Sequence, residues 1–148
     1  MFQHILHPTD GSEQSQQALE TAIEMAKAFQ GRMTLIHAYE LLQSIPLYES
    51  HYSYVQELEN YLHEQSEHIL KQATTRLKEA GIDYQVLVLK GDPGEMIVTT
   101  AEESKCDLIV MGTRGLGMVK RALLGSVSQY VLHHASCPVL VVRAAEKS

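Results

Sequence analysis

Cysteine is scarce in this sequence, and long hydrophobic runs are absent. The 148 residues include two cysteines, Cys106 and Cys137, without C-x-x-C spacing, which argues against a disulfide framework and fits a reducing compartment. No apolar stretch approaches the roughly 20 residues of a membrane span. The opening "MFQHILHPTDGS" lacks the basic segment and long apolar region of a secretory signal. These absences predict a soluble, cytoplasmic protein without a membrane partner.

Positive charge is also in short supply. Twelve lysines and arginines stand against eighteen aspartates and glutamates, which gives a formal net charge of −6. An acidic chain is not drawn to nucleic acid or to acidic lipid by non-specific attraction. With 45% hydrophobic residues, a chain of this length can bury one full core. We therefore expect a single domain, 1–148, with no nucleic-acid partner.

Strand-like and helix-like segments alternate along the chain. Short apolar runs predict strands at 2–7, 33–39, 84–90, 107–111 and 138–142. Helical spacing predicts helices at 13–30, 55–80 and 126–134, a short helix from about Met96 to Cys106, and a connection at 40–54. Gly31 and Gly81 follow the first two helices, where glycine commonly ends a helix. Such alternation predicts an open α/β fold, a five-stranded parallel sheet with helices on both faces.

Glycine is concentrated in one stretch, "GTRGLGMVKRALLGSVSQYV", at 112–131. Glycine lets a backbone approach a ligand closely, and the Gly125-Ser126 step opens a helix whose first N–H groups are free, so the stretch suits a phosphate. A P-loop is excluded because no Gly-Lys-Ser/Thr run exists. A dinucleotide fingerprint is excluded because the turn after the first strand reads "PTDGSEQ".

Two loops follow strands that could border one binding crevice. In open parallel sheets, ligands bind beyond the carboxyl ends of the strands, where the strand order reverses. "PTDGS" follows the first strand and the glycine loop follows the fourth. If those strands are neighbours, both loops face one crevice, with His37 and Ala38 on its rim. The sequence alone does not fix the strand order.

The glycine spacing carries a resemblance to a known family. Gly112-x2-Gly115-x9-Gly125-Ser126, together with "PTDGS" and "CPVLVV", resembles the nucleotide-binding branch of the universal stress protein family over 2–143. The resemblance implies a Rossmann-like domain of the adenine nucleotide alpha hydrolase type, ATP with Mg²⁺ as ligand, and a homodimer formed through the C-terminal strand. It also implies a set of nucleotide-binding residues: Pro8, Thr9, Asp10, Ala38, Met111, Gly112, Arg114, Gly115, Gly125, Ser126 and Val127.

The same resemblance distributes roles within that set. Asp10 would approach the ribose or a bound metal, and the backbone of Ala38 would border adenine. Met111, Gly112 and Gly115 would lie along the ribose and first phosphate, and 125–127 would hold the outer phosphates. Asp10 could instead be only a helix cap. Arg114, Lys120 and Arg121 could offset the polyphosphate charge, but Lys120 and Arg121 could equally belong to a solvated basic loop with no ligand role. The eight histidines show no metal-ligand spacing that favours a zinc site.

The expected function is binding with little or no turnover. Nucleotide hydrolysis needs a base or water-orienting group at the terminal phosphate, and no Asp, Glu or His adjoins Gly125-Ser126. The leading hypothesis is an ATP-binding regulator in stress response or signalling that reports nucleotide state to an unidentified protein partner. The alternatives are a slow adenine-nucleotide hydrolase or transferase on the same fold, and a receiver-type phosphorylation switch. The switch ranks last because only Asp10 is suitably placed.

Overall fold

The computed structural model describes residues 1–40, 52–113 and 124–143, without the side chains of 52 and 53. The strands are β1 (His4–Pro8), β2 (Arg32–Tyr39), β3 (Tyr84–Lys90), β4 (Leu108–Gly112) and β5 (Val139–Val142). The helices are α1 (Glu13–Phe29), α2 (Tyr52–Ala80), α3 (Pro93–Glu103) and α4 (Ser126–His134). The strands form one parallel sheet in the order β3-β2-β1-β4-β5. The predicted fold class is confirmed.

The core lies in two layers, one on each face of the sheet. Successive strand residues point to opposite faces, so Ile5 packs under α1 and α2 while Leu6 packs under α3 and α4. The first layer takes Leu19, Ala22, Ile23 and Ala26 from α1 and Leu70, Ala73 and Leu77 from α2. The second takes Ile97 and Ala101 from α3 and Val131 from α4. Helices on both faces leave the carboxyl ends of the strands open at one edge.

Several element boundaries differ from the predicted ones. The helix predicted from about Met96 begins at Pro93, because the Asp92 side chain caps it by accepting from Glu95 N at 3.0 Å. It ends at Glu103, before the left-handed Lys105. Helix α2 begins at Tyr52 instead of 55, and the sequence did not indicate this start because the residues before Val55 lack apolar periodicity. The rest of the predicted connection, 41–51, lies outside the described residues.

The glycines after α1 and α2 have different structural roles. Gly81 has φ +71 and ends α2 in the left-handed region, as the sequence predicts. After α1, Gln30 takes that conformation with φ 54, and Gly31 does not. A Cβ atom on Gly31 would lie 2.5 Å from Phe2 O. The prediction that Gly31 is the helix stop is therefore wrong, and this glycine is needed for close packing of two backbone segments.

Both cysteine thiols are expected to react slowly in the folded protein. Cys106 is buried and Cys137 half-buried. Burial raises the pKa of the Cys106 thiol to about 12 and also raises the pKa of Cys137, so little reactive thiolate exists near neutral pH. Ellman's reagent at pH 8 should label both thiols rapidly in urea and slowly in buffer. Equal labelling rates in the two solutions would contradict this prediction.

Candidate functional site

Strands β1 and β4 are neighbours in the sheet, and their backbone pairing stops before their carboxyl ends, where Pro8 has no N–H to donate. Their register pairs Ile5 with Leu108 and Leu6 with Ile109, and no later pair follows. Just beyond the last pair, the His7 imidazole Nδ1 donates to the Val110 carbonyl at 2.8 Å. We call this end of the β1–β4 pairing the fork. It lies where the chain order reverses, and the strand order that the sequence left open thus brings the ends of β1 and β4, which precede the two predicted loops, to one edge.

A cleft of about 170 Å³ opens above the fork. Its predicted lining residues are Pro8, Thr9, Asp10, Ala38, Met111, Gly112 and Val127, and His37, predicted at the rim, also lines it. Ser15, Ile36, Pro93, Ile97 and Ser128 line it too and were not predicted. In the sequence, Pro93 is typical of the first position of a helix and Ile97 of its buried face, so neither indicates a binding site. Only the tertiary fold shows that α3 forms a wall of the cleft.

The loop between β1 and α1 is held by short-range hydrogen bonds. Asp10 Oδ1 accepts from Ser12 N at 2.9 Å, and the Ser12 hydroxyl caps α1 by accepting from Ser15 N at 3.1 Å. The Thr9 hydroxyl lies 2.8 Å from the Ser15 hydroxyl and accepts from Gly11 N at 3.3 Å. Ser12, and not Asp10, is therefore the cap of α1. Asp10 is held at the cleft by the turn that its own side chain forms.

The backbone of Ala38 faces the side on which β1 has ended. Along β2, odd positions bond to β3, as in Met33 N to Asp83 O and Gly91 N to Tyr39 O. Even positions bond to β1, as in Arg32 N to Gln3 O and Thr9 N to Ile36 O. Ala38 is the next even position, and within the described residues its N–H and carbonyl have no partner on the β1 side. One backbone donor and one acceptor are therefore directed at the cleft.

Helix α4 begins beside the end of β4. Its N-cap is Gly125, which has no side chain to accept from the first N–H groups of the helix. The Gly125 N–H donates to Thr113 O at 2.7 Å. The first helical bond runs from Gln129 N to Gly125 O, so the N–H groups of 126–128 have no acceptor inside the helix. The Ser128 hydroxyl contacts the carbonyls of Gly112 and Thr113, each at 3.0 Å, and fixes the helix start to β4.

Some predicted site residues lie outside the cleft or outside the described structure. Gly125 is buried and Ser126 exposed, and both precede Val127 in the chain without lining the cleft. Arg114 and Gly115 lie outside the described residues, as does the whole basic part of the glycine loop, 114–123. Within the described ranges, no group of three His, Cys, Asp or Glu side chains could hold a metal. None of the helices described is long and apolar enough to cross a membrane.

The chain matches known proteins over nearly its whole length. The model of the universal stress protein family matches residues 1–143. Universal stress protein MJ0531 of Methanocaldococcus jannaschii is 37% identical over 99% of this chain and 85% of its own length. A universal stress protein of Thermus aquaticus is 40% identical over 97% of this chain and 100% of its own.

Solved structures agree with these matches. Hypothetical protein MJ0577 superposes with a TM-score of 0.88 at 30% identity, with 99% of each chain covered. A universal stress protein solved in complex with cAMP superposes with a TM-score of 0.70 at 29% identity, covering 95% of this chain and 96% of its own. This chain belongs to the universal stress protein family.

Proposed function

We propose that the cleft above the fork binds an adenine nucleotide, with Mg-ATP as the ligand, and that the protein is a nucleotide-responsive regulator acting in the cytoplasm. One observation carries the proposal: the free backbone edge of Ala38 faces the same cleft that Asp10 and the start of α4 border. The relative that was solved in complex with cAMP supports a purine nucleotide as the ligand class.

The backbone edge of Ala38 suits adenine better than guanine. Adenine presents a ring-nitrogen acceptor beside an amino donor, which matches one backbone N–H and one carbonyl on the same residue. Guanine presents a ring N–H donor beside a carbonyl acceptor. In the same pose, the Ala38 N–H would face another donor and the Ala38 carbonyl would face another acceptor. A site whose polar groups are left unpaired by the wrong ligand rejects that ligand strongly. Ile36, Ile97 and Val127 supply apolar walls for the flat face of a base.

The other end of the cleft suits the ribose and phosphates. The N–H groups that open α4 are donors at the positive end of a helix dipole, which favours phosphate oxygens. The carboxylate of Asp10 is an oxygen ligand of the type that Mg²⁺ prefers, and it can equally accept from ribose hydroxyls. Arg114 and Gly115 belong to the proposed site through the glycine spacing, together with Gly125 and Ser126.

The residues that line the cleft favour binding over hydrolysis. Among the described lining residues only Asp10 and His37 are titratable. Asp10 Oδ1 is engaged by Ser12 N, and His37 Nδ1 is engaged by the Thr9 carbonyl at 2.7 Å. Neither lies on α4, where the outer phosphates would bind. We therefore propose a protein that reports bound nucleotide to a protein partner, with ATP turnover slow or absent.

Ala38→Pro is expected to weaken Mg-ATP binding about tenfold, because proline removes the N–H that faces the base. No sheet hydrogen bond is lost, since this N–H has no partner on β1. The matched control is Ala38→Ser, which keeps the N–H at similar size and should bind like the wild type. Titration calorimetry with Mg-ATP and Mg-GTP measures both effects, with circular dichroism to verify folding.

The wild-type titrations decide the proposal even if Ala38→Pro fails to fold. We expect Mg-ATP to bind much more tightly than Mg-GTP. Mass spectrometry of nucleotide released on denaturing the purified protein identifies which adenine nucleotide is retained. Equal affinity for Mg-ATP and Mg-GTP would refute adenine recognition by Ala38. No binding of any adenine nucleotide would refute the proposed function.

We also propose a homodimer formed through β5. This strand pairs with β4 and ends the described sheet, so its other edge has no strand partner among the described residues. An uncovered edge composed of Val139–Val142 would invite aggregation. Val141→Lys should shift the protein toward monomer in light scattering, because pairing about a two-fold axis would bring two lysines together. An unchanged dimer would place the interface elsewhere.

A further inference from the structure

His37 holds the loop after β1 in place of the sheet ladder. Thr9 follows the last residue of β1, and its N–H still donates to Ile36 O at 2.9 Å. In a regular parallel ladder, the next bond would join Ala38 N to the Thr9 carbonyl. That carbonyl instead accepts from His37 Nδ1 at 2.7 Å. The His37 side chain therefore donates to the carbonyl to which the Ala38 N–H would donate in a regular ladder.

The following ladder bond is replaced in the same way. Continued pairing would join Gly11 N to the Ala38 carbonyl. Gly11 N instead donates to the Thr9 hydroxyl at 3.3 Å. Two side chains, those of His37 and Thr9, thus satisfy the two groups that would otherwise pair with Ala38. The N–H and the carbonyl of Ala38 remain directed at the cleft as a result.

We infer that His37 is a positioning residue for nucleotide recognition: its imidazole occupies the Thr9 carbonyl and so keeps the Ala38 backbone edge free for the base. This inference rests on the proposed function. The carbonyl can only accept, so Nδ1 carries the proton of this bond. His37 also lines the cleft between Ile36 and Ala38, next to the groups that it controls.

The inference predicts a specific rearrangement when the imidazole donor is removed. In His37→Leu the Thr9 carbonyl loses its donor, and a carbonyl without a donor costs free energy if it stays unpaired. The replacement that a continued ladder supplies is Ala38 N–H, which would extend the ladder by one bond and withdraw that group from the base. His37→Asn is the matched control, because the asparagine amide can place a donor close to the position of Nδ1.

Hydrogen exchange tests this rearrangement in the protein without nucleotide. The Ala38 amide should exchange rapidly in the wild type and in His37→Asn, and at least tenfold more slowly in His37→Leu, where the new ladder bond protects it. This readout does not depend on any ligand, so it remains informative if the proposed function fails. An Ala38 amide that is equally protected in all three proteins would overturn the inference.

Binding measurements then test the functional half. We expect His37→Leu to weaken Mg-ATP about tenfold, the size of one hydrogen bond, and His37→Asn to stay close to the wild type. Magnesium tripolyphosphate, which has no base, should bind all three proteins alike. Equal losses for Mg-ATP and tripolyphosphate in His37→Leu would show a general structural defect and overturn the positioning role, and so would an unchanged affinity for Mg-ATP.

Discussion

Gly31→Ala is expected to lower the free energy of unfolding by about 3 kcal/mol, because an added methyl group would be forced into backbone. The new Cβ would lie 2.5 Å from Phe2 O and 3.1 Å from Gln3 O. Neither atom belongs to a flexible side chain that could turn away. Gln3 O also accepts from Arg32 N at 2.9 Å, the first bond between the β1 segment and β2, so any shift disturbs the sheet. Urea denaturation measures the loss.

Gly81→Ala is the matched control for this prediction. Gly81 also follows a long helix, but it has φ +71 and nothing within 4 Å of an added Cβ. Its replacement should cost about 1 kcal/mol of backbone strain and no steric clash. We therefore expect Gly31→Ala to be the more harmful change, although Gly31 has the less unusual backbone conformation. Equal losses in the two variants would mean that the chain relieves the contact at Phe2.

The second large effect is a loss of stability in acid that depends on His7. The side chain is fully buried, its Nδ1 donates to Val110 O, and its Nε2 has no partner within the described residues. Burial lowers the pKa of this imidazole from 6.5 to about 4. His7 is thus protonated below pH 6.5 in the unfolded chain, but only below about pH 4 in the folded protein. Stability contributed by neutral His7 is present above pH 6.5 and falls by about 3 kcal/mol on the way to pH 4.

His7→Asn isolates this contribution from that of the carboxylates. Asparagine can keep a donor near Val110 O but cannot take up a proton in this range. The free energy of unfolding should therefore fall more steeply for the wild type than for His7→Asn between pH 6.5 and pH 4, and in parallel below pH 4. Parallel curves through the whole range would show that His7 titrates normally in the folded protein.

The fold was predictable because strands that are buried on both faces of a parallel sheet need short, continuous runs of apolar residues, which are easy to see in a sequence. Runs such as "DLIVM" and "PVLVV" are too short for helices and too apolar for loops, so their strand assignment was straightforward. Boundaries were harder, because caps decide them through single side chains such as Asp92. The reason for Gly31 was not accessible at all, since it depends on a contact with Phe2, which is distant in the chain.

The candidate site was predictable only in part, for a related physical reason. The strand-end loops carry local signals, and the glycine spacing adds a family pattern. The pairing of β1 with β4, whose ends precede those loops, is a long-range contact that no local segment encodes. Likewise, the availability of the Ala38 backbone follows from where β1 ends and from which strand each β2 residue bonds. These are properties of the assembled sheet.

The fork also has a mechanical consequence. Two residue pairs join β1 to β4, whereas five join β1 to β2, so the seam between β1 and β4 has the fewest paired residues in the described sheet. Under the proposed function, a nucleotide held by Ala38 of β2 on one side of that seam and by α4 on the other would connect the two sides. Ligand that binds only the folded state adds to its stability, and here it would do so by joining strands that share few backbone pairs.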